Sequence, residues 1–202
     1  MAIANPYGAD LGDRIPLEAL AETPEKLRRL VAAWSDEDFE RTYAAGKWSF
    51  RKILVHLAQT ELALTTRARF ALSQADYVSQ AFSQDDWMAI DNAAGARVAL
   101  DTYTTLRQFN LAMWRALTPE QVDRSFTHPE YGDLTVGWIM AQMAGHDIHH
   151  LKQFQAGPAR ECDSSARCGQ RRSRPVGSDL PLRDAEKRAL HGLCSRWRRR
   201  LG

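Results

Sequence analysis

Cysteine is absent from the first 156 residues of this 202-residue chain, and all three cysteines follow that point. The fold of the first part therefore cannot depend on disulfide bonds, and we expect a cytoplasmic location. Long apolar runs are also missing, since no stretch approaches the roughly 18–20 residues that a membrane-spanning helix needs. The first twenty residues contain Pro6 and Pro16 but no apolar segment, so we predict no secretory signal.

Acidic residues become scarce after residue 156. Residues 1–156 carry 15 basic and 20 acidic side chains, whereas residues 157–202 carry 12 basic and 5 acidic ones. We therefore predict one domain over residues 1–156 and a basic, Arg-rich, disordered tail over residues 157–202. Neutralisation of nucleic-acid phosphates is the less favoured interpretation of the tail. The abrupt change also leads to the hypothesis that a shifted reading frame produced it.

Convincing strand alternation is missing as well, whereas helical periodicity dominates the first 156 residues. Four long helices are predicted over residues 16–34, 49–73, 93–117 and 135–155, with Ser49 and Thr135 as N-caps. The first could instead begin at Thr23. The third presents a predicted core seam: Ala99, Tyr103, Leu106, Asn110, Met113 and Leu117.

The connections between these helices differ in length. Residues 74–92 form a long polar crossover between the second and third helices, with room for a short helix. Residues 128–133 have the composition of a turn. The predicted fold class is therefore all-α, a four-helix bundle with one long crossover.

Imidazole side chains concentrate on the fourth predicted helix, at His146, His149 and His150. A helix turns by about 100° per residue, so His146 and His150 lie about 40° apart and can reach one ion. His149 is turned toward solvent. His56 holds a similar position beside the apolar stripe of the second helix. Hydrogen-bonded histidines at the edge of a core are the alternative, because the sequence does not show whether His56 faces the pair.

Three segments carry a resemblance to a known family: Gly46-Lys47-Trp48-Ser49 leading into Ile53-Leu54-Val55-His56-Leu57, the turn His128-Pro129-Glu130-Tyr131-Gly132, and the His-x-x-His-His-x-x-Gln block ending at Gln153. Over about residues 15–156 the chain resembles the DinB-like superfamily. That resemblance implies an antiparallel four-helix bundle, frequently a homodimer. It also implies a divalent metal, commonly zinc or nickel. By position, the implied ligands are His56, His146 and His150.

Three neutral imidazoles leave at least one coordination position open, which is typical of a reactive metal site. The metal could lower the pKa of a bound water or hold a thiol as thiolate. The resemblance covers metal-dependent hydrolases as well as thiol S-transferases that use bacillithiol or mycothiol. A non-catalytic, stress-associated metal-binding bundle is the further alternative.

The sequence favours thiol S-transfer to a small-molecule substrate, because hydrolysis usually needs a positioned general base. The candidate bases are Asp147, Glu61 and Glu130, and none has a distinctive motif spacing. Asp147 is more simply interpreted as a buried ion-pair partner, or as a residue that supports a metal ligand. Gln153 shares the His146 face and could hydrogen-bond a ligand or substrate.

Overall fold

The computed structural model describes residues 3–158, so nearly all of the predicted tail, with its cysteines and basic clusters, lies outside the described residues. The described helices and strands follow in this order: α1 Gly8–Leu11, α2 Pro16–Leu30, α3 Asp36–Glu40, α4 Phe50–Ser73, α5 Gln84–Ile90, α6 Ala96–Ala116, α7 Pro119–Val122, β1 Ser125–His128, β2 Gly132–Thr135 and α8 Val136–Ala156. Within this part of the chain, no helix has both the length and the apolar character needed to cross a membrane.

The four long helices α2, α4, α6 and α8 form a bundle in which α4 and α2 each pack against both α6 and α8. Arg51, at the start of α4, donates to the carbonyls of Asn92 and Ala94, just before α6 begins. About ten residues farther along both helices, Arg107 of α6 donates to Glu61 of α4. The helices α4 and α6 therefore run parallel, and the chain must return along the bundle between them. This confirms the predicted four-helix bundle with a long crossover, and the crossover contains the short helix α5.

The predicted N-caps of α4 and α8 are confirmed. Ser49 Oγ accepts a hydrogen bond from the Lys52 amide, and Thr135 Oγ1 accepts one from the Trp138 amide at 3.0 Å. These bonds satisfy amides that have no partner within the helix. Both histidine-bearing helices therefore begin at a residue that the sequence specifies.

The first long helix begins at Pro16, which makes a start at Thr23 wrong. The Thr23 hydroxyl donates to the Ala19 carbonyl at 2.7 Å, inside the helix, and Pro24 follows it there. The helix ends at Leu30, so Trp34 lies beyond it and packs its ring against Phe50 and Phe154.

A small antiparallel hairpin, β1–β2, is the element that the sequence pattern did not predict. The predicted turn lies at its tip, where Gly132 adopts a positive φ of 71°. Each strand has four residues, too short for alternation to stand out. A parallel bridge between Val78 and Thr127 joins the crossover to this hairpin.

The buried face of α6 is rotated from the predicted seam. Ala99, Tyr103 and Asn110 are buried as predicted, but Leu106, Met113 and Leu117 are only half-buried. Arg107 and Trp114 take the central positions instead, each no more than 2% exposed. The cause is a set of buried acidic partners on α4 and α8, which draws the Arg107 guanidinium inward.

Candidate metal centre

Three histidine rings from two helices converge between α4 and α8. His146 Nε2 lies 2.9 Å from His56 Nε2 and 3.0 Å from His150 Nε2, and all three side chains are buried. One nitrogen from each ring lies within 4.8 Å of the other two. Because α4 and α8 run antiparallel, with Phe50 beside Phe154, His56 lies level with the pair on α8. The structure thus brings together the three histidines that the sequence singled out.

The spacing of these nitrogens suits a shared cation. Three nitrogens bound tetrahedrally at 2.0–2.1 Å from zinc lie about 3.3 Å from one another. The single hydrogen that His146 Nε2 can carry satisfies only one of its two contacts well, whereas a cation satisfies all three rings. Burial, followed by the neighbouring His146, lowers the pKa values of His56 and His150 well below their ordinary range. These two rings are therefore neutral, the form that binds metals.

A chain of hydrogen bonds fixes which nitrogen of His150 faces the centre. His150 Nδ1 donates to Gln153 Oε1 at 2.8 Å, which leaves Nε2 with a free lone pair. The Gln153 amide nitrogen in turn lies 3.1 Å from His149 Nε2 and 3.2 Å from the Tyr43 hydroxyl. His149 Nδ1 lies 3.1 Å from an Asp10 carboxylate oxygen. His149, predicted to point toward solvent, is half-buried and supports Gln153 rather than the centre.

Replacing Gln153 with Leu is expected to weaken metal binding about 10–100-fold, the usual cost of losing the partner of a ligating histidine. The variant keeps all three imidazoles but no longer holds the His150 tautomer. Competition titration of the purified protein with a chromogenic zinc chelator measures the change. Gln155→Leu, an exposed position on the same helix, serves as the matched control. Equal affinity of the Gln153 variant and the wild type would contradict the role assigned to this side chain.

Aromatic side chains from three loops surround the centre. Tyr7, Trp48 and Phe82 place their ring centroids 5.1 Å from His146, 5.3 Å from His56 and 6.4 Å from His56, respectively. Neither Tyr7 nor Phe82 was predicted from the sequence as part of the site. A glycine inside a helix indicates that another segment packs closely there, and Gly145 is such a glycine for Tyr7. A Cβ at position 145 would lie 2.8 Å from the Tyr7 Cβ.

Two of the three candidate bases are held in a buried ion-pair network. Arg107 donates to Glu61 Oε2 at 2.8 and 3.0 Å, and its Nη1 lies 2.7 Å from Asp147 Oδ2. The Tyr103 hydroxyl donates to the same Asp147 oxygen at 2.9 Å. Burial alone would raise the pKa of Asp147, but Arg107 and the neighbouring His146 together outweigh burial and keep that pKa below its ordinary value. Both carboxylates are thus engaged, and the third candidate, Glu130, is exposed in the hairpin turn.

His128 is buried in β1, where its Nδ1 accepts a hydrogen bond from the Glu130 amide at 3.2 Å. Burial and the nearby Arg67 charge lower the pKa of His128 from 6.5 to about 4. Between pH 6.5 and about pH 4, His128 is therefore protonated in the unfolded chain but largely neutral in the folded one. The His128 ring is thus neutral near pH 7, and it lies at the end of β1, directly before the turn residues.

Acidification from pH 7 to pH 4 is expected to lower the free energy of unfolding, with a contribution from His128 of up to about 3 kcal/mol. His128→Asn keeps an acceptor for the Glu130 amide but removes the titration. Urea unfolding across this pH range measures the difference between variant and wild type, since His56 and His150 contribute to both. Parallel stability curves for the two proteins would contradict the lowered pKa.

The fold and this cluster define a four-helix bundle with a candidate three-histidine metal centre. The family model of the DinB superfamily matches residues 19–154, which is more than half of the chain. The chain therefore belongs to the DinB superfamily.

A sequence relative and two solved structures match the chain over most of the bundle. A protein of Oceanobacillus iheyensis, named as a candidate metal-dependent hydrolase, is 27% identical over 140 residues, covering 69% of this chain and 81% of that protein. The solved structure of Bacillus subtilis YfiT, also described as a candidate metal-dependent hydrolase, has a TM-score of 0.65 at 23% identity and covers 69% of this chain and 82% of its own. A mycothiol-dependent maleylpyruvate isomerase has a TM-score of 0.57 at 10% identity, covering 69% and 59%.

The metal-dependent relatives and the histidine cluster together support a divalent metal. The two solved structures share the fold of this chain.

Proposed function

We propose that the chain is a metal-dependent enzyme in which His56, His146 and His150 hold zinc or nickel and a small thiol is activated for transfer to an electrophilic substrate. One observation carries the proposal: three buried imidazoles converge, while the two buried carboxylates near them are engaged by Arg107. When bound, the metal supplies Lewis acidity, which lowers the pKa of a thiol or a water molecule that coordinates it.

The side chains around the centre favour a thiol over water. Hydrolysis needs a group that accepts a proton and positions the nucleophile, and the engaged carboxylates of Glu61 and Asp147 are poorly suited to this. A thiol needs less assistance once its proton has left to solvent. Trp48 and Phe82 present apolar ring surface beside His56, which restricts water and suits a polarisable sulfur.

A metal-dependent hydrolase is the second candidate, and the names of the relatives favour it. Under this alternative, the same three histidines hold the metal, and a residue outside the buried network accepts the proton. The two candidates differ in one requirement, since only the transferase needs a thiol co-substrate.

The deciding experiment compares metal-free, zinc-loaded and nickel-loaded protein. Each form is incubated with cysteine, glutathione, bacillithiol or mycothiol and with the electrophile monochlorobimane, and separately with ester and amide panels. Product that needs both metal and thiol, and that is lost in His150→Ala, supports the transferase. Thiol-independent cleavage of esters or amides supports the hydrolase. Metal binding with no turnover in either assay supports a non-catalytic metal-binding bundle.

A further inference from the structure

Arg67 is a buried guanidinium for which the described part of the chain supplies no carboxylate at ion-pair distance. Its side chain is 9% exposed, and its Nη2 donates to the Gln80 carbonyl in the crossover at 2.8 Å. Burial lowers the pKa of Arg67, while Tyr77, Glu130 and Tyr131 act in the opposite direction. Arg107, the other buried arginine among the described residues, is only 1% exposed and has two carboxylates in contact. A guanidinium buried without such a partner is costly and needs an explanation.

Two further hydrogen-bond donors lie where the crossover meets the hairpin, and the Gln80 carbonyl that Arg67 contacts directly follows one of them, Ser79. The Ser79 amide donates to the Thr127 carbonyl at 2.9 Å, next to the bridge between Val78 and Thr127. Side chains alternate along such a pair, so Ser79 and its neighbour His128 face inward while Val78 is exposed. Ser79 is only 3% exposed, and its hydroxyl has no hydrogen-bond partner among residues 3–158.

His128 completes the set because its acceptor nitrogen is already used. Its Nδ1 takes the hydrogen bond from the Glu130 amide, so the ring proton lies on Nε2 and is available to a further acceptor. Burial and, after it, the nearby Arg67 charge lower the pKa of this ring, which keeps it neutral near pH 7. A guanidinium, a hydroxyl and an imidazole N–H thus belong to the junction of α4, the crossover and the hairpin, and all three can donate to an oxyanion.

We propose that Arg67, Ser79 and His128 form a binding site for the carboxylate or phosphate group of an acidic small molecule. Arg67 follows His56 by eleven residues on α4, which places it about 20° around the helix and about 16 Å along it. Both residues therefore face the same side of α4. The acidic group binds here while the reactive end of the same molecule lies at the three histidines, and this second statement rests on the proposed function.

Titration of the full-length, metal-free protein with succinate and with inorganic phosphate tests the site. The readout is the change in the NMR chemical shifts of backbone amides. Saturable binding is expected, and Arg67→Gln is expected to weaken it at least about tenfold, as the loss of a charge-assisted hydrogen bond predicts. Ser79→Ala is expected to weaken it about threefold without lowering Tm, because it removes a hydroxyl that has no partner. Arg69→Gln, two residues along α4 and bonded to Asn110, is the matched control and should bind as the wild type does.

Two results would overturn the proposal: no saturable binding of either anion to the wild-type protein, or unchanged affinity in both Arg67→Gln and Ser79→Ala. A purely structural role for Ser79 or Arg67 would move Tm but leave the anion affinity untouched. Since the titration uses metal-free protein, its outcome is independent of turnover. The link to the centre is tested separately, by comparing KM for acidic and neutral electrophiles of equal reactivity in wild-type and Ser79→Ala protein. A KM preference for the acidic electrophile that Ser79→Ala reduces is the expected result, and its absence would overturn the link alone.

Discussion

Replacing His56, His146 or His150 with Ala is expected to abolish stoichiometric binding of a divalent metal. The loss in affinity should exceed about 100-fold, because removing even a partner of a ligating histidine costs 10–100-fold. One nitrogen from each of the three rings lies within 4.8 Å of the other two, so each replacement should have a similar effect. Isothermal titration with zinc and with nickel, together with elemental analysis of the purified proteins, measures the outcome.

His149→Ala is the matched control, because it removes an imidazole from the same helix but not from the centre. It should retain one metal per chain. Metal should also raise the Tm of the wild-type protein, since a ligand that binds only the folded state stabilises it. The three alanine variants should lose that increase while retaining helical circular dichroism. Full metal content in His56→Ala would show that α4 contributes no ligand.

Arg107→Met is expected to lower the free energy of unfolding by about 3–5 kcal/mol, the cost of breaking a buried ion pair by removing one partner. The change leaves the carboxylates of Glu61 and Asp147 buried without their cation. It also removes the bond from Arg107 Nη1 to the Leu20 carbonyl, which ties α2 to α6. For a domain of this size, thermal unfolding should show a decrease in Tm of about 10 °C.

Removing the acidic partners as well should restore much of this stability. The combination Arg107→Met, Glu61→Gln and Asp147→Asn leaves no charge in the network, and buried ion-pair networks replaced as a unit are often tolerated. Arg29→Met serves as the surface control, since its pair with Glu25 is exposed and contributes at most about 1 kcal/mol. A loss below about 1 kcal/mol in Arg107→Met would mean that the buried network does not hold the helices together.

Local signals in the sequence predicted the helices, because those signals act within one element. Ser49 and Thr135 cap α4 and α8 through bonds to amides three residues away, so the sequence alone specifies where these helices begin. The polar stretch between α4 and α6 is long because the two helices run parallel. The hairpin was not predicted, since strands of four residues depend on their partner and on the crossover that joins them.

The buried face of α6 shows where local patterns fail. Leu106 and Met113 were predicted for the core because they belong to a seam with alternating spacings of four and three residues. Arg107 lies in the core instead, because its partners Glu61 and Asp147 come from other helices. A charged residue is predicted to be exposed when only its own helix is considered. Its burial depends on packing partners far away in the chain.

In the candidate site too, local patterns predicted one part, and contacts between helices determine the rest. Helical spacing alone pairs His146 with His150, because both lie on one face of one helix. The position of His56 opposite them depends on the packing of α4 against α8, which local periodicity does not contain; the family resemblance supplied it. Contacts of Tyr7 and Asp10 with the histidine helix come from a short segment with no strong pattern of its own.

X-ray absorption at the metal edge of protein loaded with one equivalent of zinc, with and without added thiol, decides whether three histidines hold a metal that keeps an open coordination position. We expect three imidazole nitrogens at about 2.0–2.1 Å and one exchangeable oxygen ligand, which is replaced by sulfur at about 2.3 Å when thiol is added. Fewer than three imidazoles, or a set of four protein ligands that thiol does not displace, would contradict a three-histidine centre with an open position.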